Sequence, residues 1–238
     1  LLGADLSVAP NVLVGVAGGS NRGTIDKDNG AEVDTKTTHG AVYASIGTAD
    51  WFADASFVYG DSTIDHAPGS TFDTEGEYDA QNYAFYLGGG REFIGDYLIF
   101  TPQLALLGNY YKQDGYEENS TTAVGRKVDS FDAFYLQSSV GCNVGMYAGL
   151  GEITLKPELR AYWLHEFNAD EEDLPYALIG GNGEYNMLLQ APEEDILKIG
   201  AGVSAKLSEY LEIRADLDSR WASEYSDYTL LGSLRYQF

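Results

Sequence analysis

A chain of 238 residues with 28 Gly and 18 Tyr, but only 1 Cys and 6 Pro, fits neither a disulfide scaffold nor a Pro-rich disordered chain. Its 37 acidic residues against 14 Lys and Arg give a formal net charge of −23, which repels a phosphate backbone and opposes nucleic acid as a partner. No apolar run reaches the roughly 18 residues of a membrane-spanning helix, but that excludes helical spans only, because a membrane β-barrel alternates lipid-facing with lumen-facing residues.

The chain opens on Leu1-Leu2-Gly3-Ala4-Asp5, with no basic region, apolar core and cleavage site in series, so it reads as mature or cut. Eleven strands are expected, at about 1–9, 11–20, 39–47, 51–60, 81–93, 98–111, 132–147, 152–167, 196–207, 210–221 and 228–238. The alternation of 39–47 is ambiguous, and Ile99 and Leu107 blur that of 98–111. From 132 on it sharpens. Leu136, Val140, Cys142, Val144 and Met146 alternate with Gln137, Ser139, Gly141, Asn143 and Gly145. Ile153, Leu155, Pro157, Leu159, Ala161 and Trp163 oppose Thr154, Lys156, Glu158, Arg160 and Tyr162. Leu197, Ile199, Ala201, Val203, Ala205 and Leu207 oppose Lys198, Gly200, Gly202, Ser204 and Lys206. Leu211, Ile213, Ala215, Leu217 and Trp221 oppose Glu212, Arg214, Asp216, Asp218 and Arg220. In the last segment Tyr228, Leu230, Leu234, Tyr236 and Phe238 oppose Thr229, Ser233, Arg235 and Gln237, with Leu231 out of phase.

A period of two places each set on one face of a strand. The segments are about ten residues or longer, the length a tilted strand needs to cross the hydrocarbon layer, whereas soluble strands average nearer five or six. The polar face carries charges of both signs, which suit a water-filled lumen and not a dry core. The opposite face is nearly free of charge, as a cost of about 2–4 kcal/mol for a mid-bilayer Lys or Arg demands. Arg91 is the exception, near a strand end where its stem can reach the headgroups.

Connections alternate in length. Short ones centre on Pro10, Thr48-Ala49-Asp50, 94–96, 148–151 and Ser208-Glu209; long ones fall at about 21–38, 61–80, 112–131, 168–195 and 222–227. In outer-membrane barrels short turns are periplasmic and long loops external, so the C-terminus is expected at the periplasmic rim and the long acidic loops outside. With Asp132 counted, the long connections hold 25 acids and 6 bases. Solvation of mobile loops by like charge is the plain reading. Asp26-Lys27-Asp28-Asn29-Gly30 starts like a calcium loop, but its Gly comes one position early and no acid stands at the bidentate position. By the alternation, the first and last strands both descend, so antiparallel closure requires an ascending strand before Leu1.

The sequence resembles the autotransporter β-domain, the translocator of type V secretion. Gly3-Ala4-Asp5 resembles the G-x-D of that family's second strand, Pro102 the proline of a middle strand, and Tyr116-Glu117-Glu118 the aromatic-x-E that follows it. Trp163-Leu164-His165-Glu166-Phe167 is similar to its W-x-H-E-F, followed by Gly200-Ala201-Gly202 and the terminal Leu234-Arg235-Tyr236-Gln237-Phe238. The resemblance covers nearly the whole chain, aligned from the second of twelve strands. It implies an all-β transmembrane antiparallel barrel in the outer membrane that delivers a linked passenger, with assistance from the barrel-assembly machinery. The family's first strand, central linker helix and passenger have no counterpart in these residues. The resemblance also implies that Leu234, Tyr236 and Phe238 form the signal read during assembly; the alternative is an ordinary lipid-facing stripe.

The candidate lumen residues are Lys156, Glu158, Arg160, Glu166, Lys198, Lys206, Glu212, Arg214, Asp216, Asp218, Arg220 and Arg235. They either solvate and orient a polypeptide or helix in the lumen, or pair across strands and stiffen the wall. No cofactor and no metal is expected. His165 and Glu166, as strand neighbours, face opposite sides and cannot share one ion, and no H-E-x-x-H helix exists. His39, His66 and His165 lie in three segments, and Cys142 sits on the apolar side. The alternatives to a translocator are a free-standing porin and, further off, a barrel enzyme. A passenger and linker helix upstream would favour translocation, and a signal peptide directly before the first strand a channel.

Overall fold

The computed structural model describes residues 1–26, 32–67, 74–120, 124–151, 153–223 and 225–237. Its first strands are β1 (Leu2–Ala9), β2 (Val12–Asp26), β3 (Glu32–Gly47), β4 (Trp51–Ala67) and β5 (Thr74–Arg91), followed by β6 (Phe93–Ile94) and β7 (Ile99–Gln113). Next come β8 (Tyr116–Glu117), β9 (Asn119–Ser120), β10 (Arg126–Val128), β11 (Phe131–Gly145), β12 (Ala148–Leu150) and β13 (Ile153–Glu166). The chain continues through β14 (Glu172–Leu178), β15 (Glu184–Leu189), β16 (Asp195–Lys206), β17 (Leu211–Trp221) and β18 (Ser226–Tyr236). No helix occurs among the described residues.

Eleven of these strands form one antiparallel meander in the order β1-β2-β3-β4-β5-β7-β11-β13-β16-β17-β18, the eleven expected from the period-two pattern. Every step joins sequence neighbours or skips only short strands, as hairpin connections dictate. Cross-strand register keeps each apolar set in phase: Leu159 faces Ala201, and Ala201 faces Leu217. That continuous phase makes one apolar and one polar face across the sheet.

The apolar face is not covered by protein. Leu2, Leu104, Leu159, Leu217 and Leu230 are all more than half exposed, and among the described residues no second sheet packs on Ile213 or Leu217. The accessible area is 15415 Å², against about 10,500 Å² for a soluble monomer of 25.9 kDa. An apolar surface of this extent requires a lipid or partner solvent. The polar face lines a cavity of about 550 Å³ bordered by Tyr86, Gln103, Arg160, Tyr162, Lys198 and Asp218, from five strands of the curled sheet.

Arg91 lies at the end of β5 opposite Trp51, on the apolar face, with its guanidinium 5.2 Å from the Phe93 ring centre. Leu107 and Leu231, which interrupt the alternation, fall on the polar face, in register with Gln137 and Asp216.

Two of the expected long loops are corrected. The β2–β3 ladder runs on to Asp26 opposite Glu32, and the β3–β4 ladder to Glu32 opposite Ala67, so much of 21–38 and 61–80 is strand. The period-two signal vanishes there because polar and charged groups such as Thr24, Asp34, Lys36 and Asp65 take over the face that carries Val16 and Val42 lower down, while Thr35 and Thr37 occupy the other. The calcium-like segment lies largely outside the described residues. The loops 112–131 and 168–195 are not plain coil either: they supply a second, four-stranded sheet in the order β15-β14-β10-β8. Val128 and Leu174 give it a small buried core. Its β14–β15 hairpin turns at Gly180, where φ is +81°, a conformation side-chain-bearing residues avoid.

β1 and β18 end the strand order, and no backbone ladder joins them among the described residues. With ten antiparallel steps between the eleven strands of the meander, they run in the same direction. Their side chains do meet: Arg235 Nη2 donates to Asp5 Oδ1 at 3.1 Å, and the Tyr43 hydroxyl donates to Asp5 Oδ2 at 3.3 Å.

Candidate functional site

The polar face of β13, β16 and β17 carries a dense arc of charge. Arg160 on β13 sits opposite Gly200 on β16, which sits opposite Asp218 on β17. Its guanidinium spans the intervening strand, with Nε 2.8 Å from Asp218 Oδ1 and Nη2 2.6 Å from Asp216 Oδ1. It also reaches Glu158 at 3.3 Å. Glycine at 200 and 202 is what permits this. A Cβ at Gly200 would overlap Asp218 and come within 2.6 Å of Arg160 Nε, and one at Gly202 would overlap Asp216. The Gly200-Ala201-Gly202 motif therefore reads as clearance for an arginine laid across a strand.

The arc continues through Arg214, 2.7 Å from Asp216 and 3.1 Å from Glu158, and through Lys198, 3.1 Å from Asp218. Lys156 stands 4.0 Å from both Glu158 and Glu92. Lys156, Arg160, Lys198 and Arg214 thus balance Glu92, Glu158, Asp216 and Asp218. The side chains of Arg160 and Glu158 are only 9% exposed, so their attraction is screened less than that of a surface pair.

The other expected site residues separate from this arc. Arg220 forms a two-bond pair with Asp227, and Arg235 pairs with Asp5 across the ends of the sheet. Lys206 and Glu212 oppose each other in register, with no ion pair between them in the described structure. Glu166 is buried and accepts the Leu136 backbone N–H at 2.8 Å, a bond that ties β11 to β13 in place of pairing with a cation. Leu234 and Tyr236 are exposed on the apolar face, and Phe238 lies outside the described residues.

Three features escape period-two reasoning. The Tyr162 hydroxyl lies 2.9 Å from Gln103 Oε1 and 2.5 Å from Asn143 Oδ1, joining three strands beside the charged arc. The alternation puts Tyr162 on the polar face with Arg160, but its contacts follow only from the register of β7, β11 and β13. Glu118, expected in a loop, is fully buried and clasped by Arg126 through Nε at 2.8 Å and Nη2 at 2.5 Å. That clasp raises the Arg126 pKa. Burial, and then the Glu118 carboxylate, push the Tyr116 phenol up to about 12. Tyr116 also stacks on Tyr78, 4.7 Å between ring centres. The histidines do not converge: His66 stands edge-on to Tyr116, His165 lies beside Trp163 and Phe167, and His39 lies over Gly19.

The autotransporter beta-domain family model matches residues 1–218. The chain belongs to the autotransporter β-domain family. No curated protein sequence matches it. Solved structures that share the fold include the following three. The NalP translocator domain from Neisseria meningitidis superposes with a TM-score of 0.80 at 15% identity, covering 99% of this chain and 79% of that one. The β-domain of Bordetella BrkA gives 0.70 at 18% identity, covering 99% and 87%. The transport unit of AIDA-I from Escherichia coli gives 0.68 at 14% identity, covering 99% and 80%. The autotransporter β-domain described here is an outer-membrane translocator barrel of type V secretion, which delivers a covalently linked passenger to the cell surface.

Proposed function

We propose that this autotransporter β-domain holds a linker helix and the passing chain of an upstream passenger against its charged arc, without chemistry of its own. The observation that carries this reading is the charge balance of the arc, four cations against four carboxylates on the face opposite the exposed leucines. A wall of paired charges stays wetted, yet offers no net field to trap a polypeptide of either sign.

Closure supports one further strand. β1 and β18 run in the same direction, so an antiparallel cylinder takes one more strand between them, supplied from upstream of Leu1. Left open, the two edges would expose backbone groups to lipid at several kcal/mol each. The short connections around Pro10 and Ser208-Glu209 are then periplasmic, with the C-terminus on the same rim, and the second sheet and long hairpins stand outside. Outer-membrane lipid covers the leucine face. The barrel-assembly machinery reads Leu234, Tyr236 and Phe238, and deletion of Phe238 should then lower insertion in cells.

A charge-reversal scan of Glu158, Arg160, Arg214, Asp216 and Asp218 tests the proposal, with surface display of the passenger and barrel stability measured on each variant. Loss of display at unchanged stability supports guidance of the chain in transit. Parallel loss of both reduces the arc to a structural brace.

A further inference from the structure

Sequence adjacency rules out a shared ion for His165 and Glu166, but the β13–β16 ladder assembles a different set. His165 is the register partner of Asp195, and Glu194 precedes it. One ligand atom each from His165, Glu194 and Asp195 lie within 4.8 Å of one another. We propose that these three residues form a zinc site at the loop-bearing end of β13 and β16.

The His165 ring and the Asp195 carboxylate are oriented by neighbours before any ion arrives. The His165 ring is fixed between Trp163 and Phe167, with ring centres 5.5 and 5.0 Å away, and its Nδ1 lies 3.1 Å from Asp195 Oδ1. Trp163 Nε1 donates to the same carboxylate oxygen at 2.8 Å, the kind of supporting bond that orients a metal-binding carboxylate. Glu194 is anchored to β13 by its carbonyl, which accepts the Glu166 N–H at 2.8 Å. A tetrahedral zinc with bonds of about 2.0–2.2 Å needs its donors about 3.4 Å apart, a spacing that small rotations of two exposed carboxylates supply. One imidazole nitrogen with two carboxylate oxygens suits zinc; calcium and magnesium take oxygen alone. The exposure of Glu194 and Asp195 leaves a fourth position open to water. The ion would clamp β13 to β16 where the second sheet joins the barrel.

The test is calorimetric titration of the full chain in detergent micelles, stripped with chelator, using zinc chloride, with calcium and magnesium chloride in parallel. One saturable zinc per barrel is expected. His165→Ala and Asp195→Asn should each weaken uptake at least about tenfold, with unchanged gel mobility of the folded barrel. His39→Ala should leave uptake unchanged. Cobalt in place of zinc should give the intense visible absorption of a tetrahedral site, lost in His165→Ala. Zinc affinity equal in wild type and His165→Ala, no saturable uptake, or a preference for calcium or magnesium would each overturn the proposal.

Discussion

Replacing Arg160 with methionine removes the centre of the charged arc while keeping much of the side-chain volume. Three carboxylates, Glu158, Asp216 and Asp218, lose their shared cation, and the arc passes from neutral to one net negative charge. At charge separations near 4 Å and an effective dielectric of about 20, each pair is worth about 4 kcal/mol of gross attraction. Desolvation offsets most of this, while removal of one partner from a fully buried pair costs about 3–5 kcal/mol. Because the arc borders a cavity and not a dry core, a loss of about 2–3 kcal/mol is expected. Arg160→Met should therefore unfold at lower urea in lipid vesicles, followed by tryptophan fluorescence. In a double-mutant cycle with Asp218→Asn the two changes should couple by about 1–2 kcal/mol. Wild-type stability of Arg160→Met, or strict additivity with Asp218→Asn, would refute the account of the arc.

Gly200→Val should cost at least as much as Arg160→Met, because the new side chain occupies the guanidinium's path; the same urea titration reads it. Leu217→Arg places a charge on the lipid face and should lower stability in vesicles by about 2–4 kcal/mol. Glu118→Gln should weaken the Arg126 clasp and speed amide exchange in β8, β10 and β14, while the main meander keeps its protection. Tyr116 ionises in the folded state near 12 instead of its ordinary 10. The contribution of its neutral phenol is therefore complete below pH 10 and is lost as pH rises toward 12. The tyrosinate absorbance missing from Tyr116→Phe should titrate in that upper range.

Legibility in sequence follows the solvent on each face. Where an apolar face stands against a charged one, as in β13, β16 and β17, the alternation Leu197 to Leu207 and Leu211 to Trp221 defines strand and face at once, and only the register partners wait for the structure. Toward the far ends of β2, β3 and β4 both faces are polar, the contrast disappears, and Thr24, Asp34 and Asp65 look like loop although they sit in ladders. The charged arc was readable as a set of inward charges, but not as a network. Arg160 reaches Asp216 over a whole strand, and only the pairing of Gly200 and Gly202 with both neighbours reveals that bridge. The Glu118–Arg126 clasp depends on the β8–β10 pairing, which hydrophobic periodicity does not register, and the Arg235–Asp5 contact joins residues 230 positions apart.

The face assignment on which all of this depends is open to direct measurement by spin-label scanning of residues 211–221, one nitroxide at a time, in lipid vesicles. Oxygen contact should peak at Leu211, Ile213, Ala215 and Leu217, and contact with a water-soluble nickel chelate at Glu212, Arg214, Asp216 and Asp218, alternating without a break. Equal shielding from both reagents at the leucine positions would place them between protein layers and contradict a barrel in lipid.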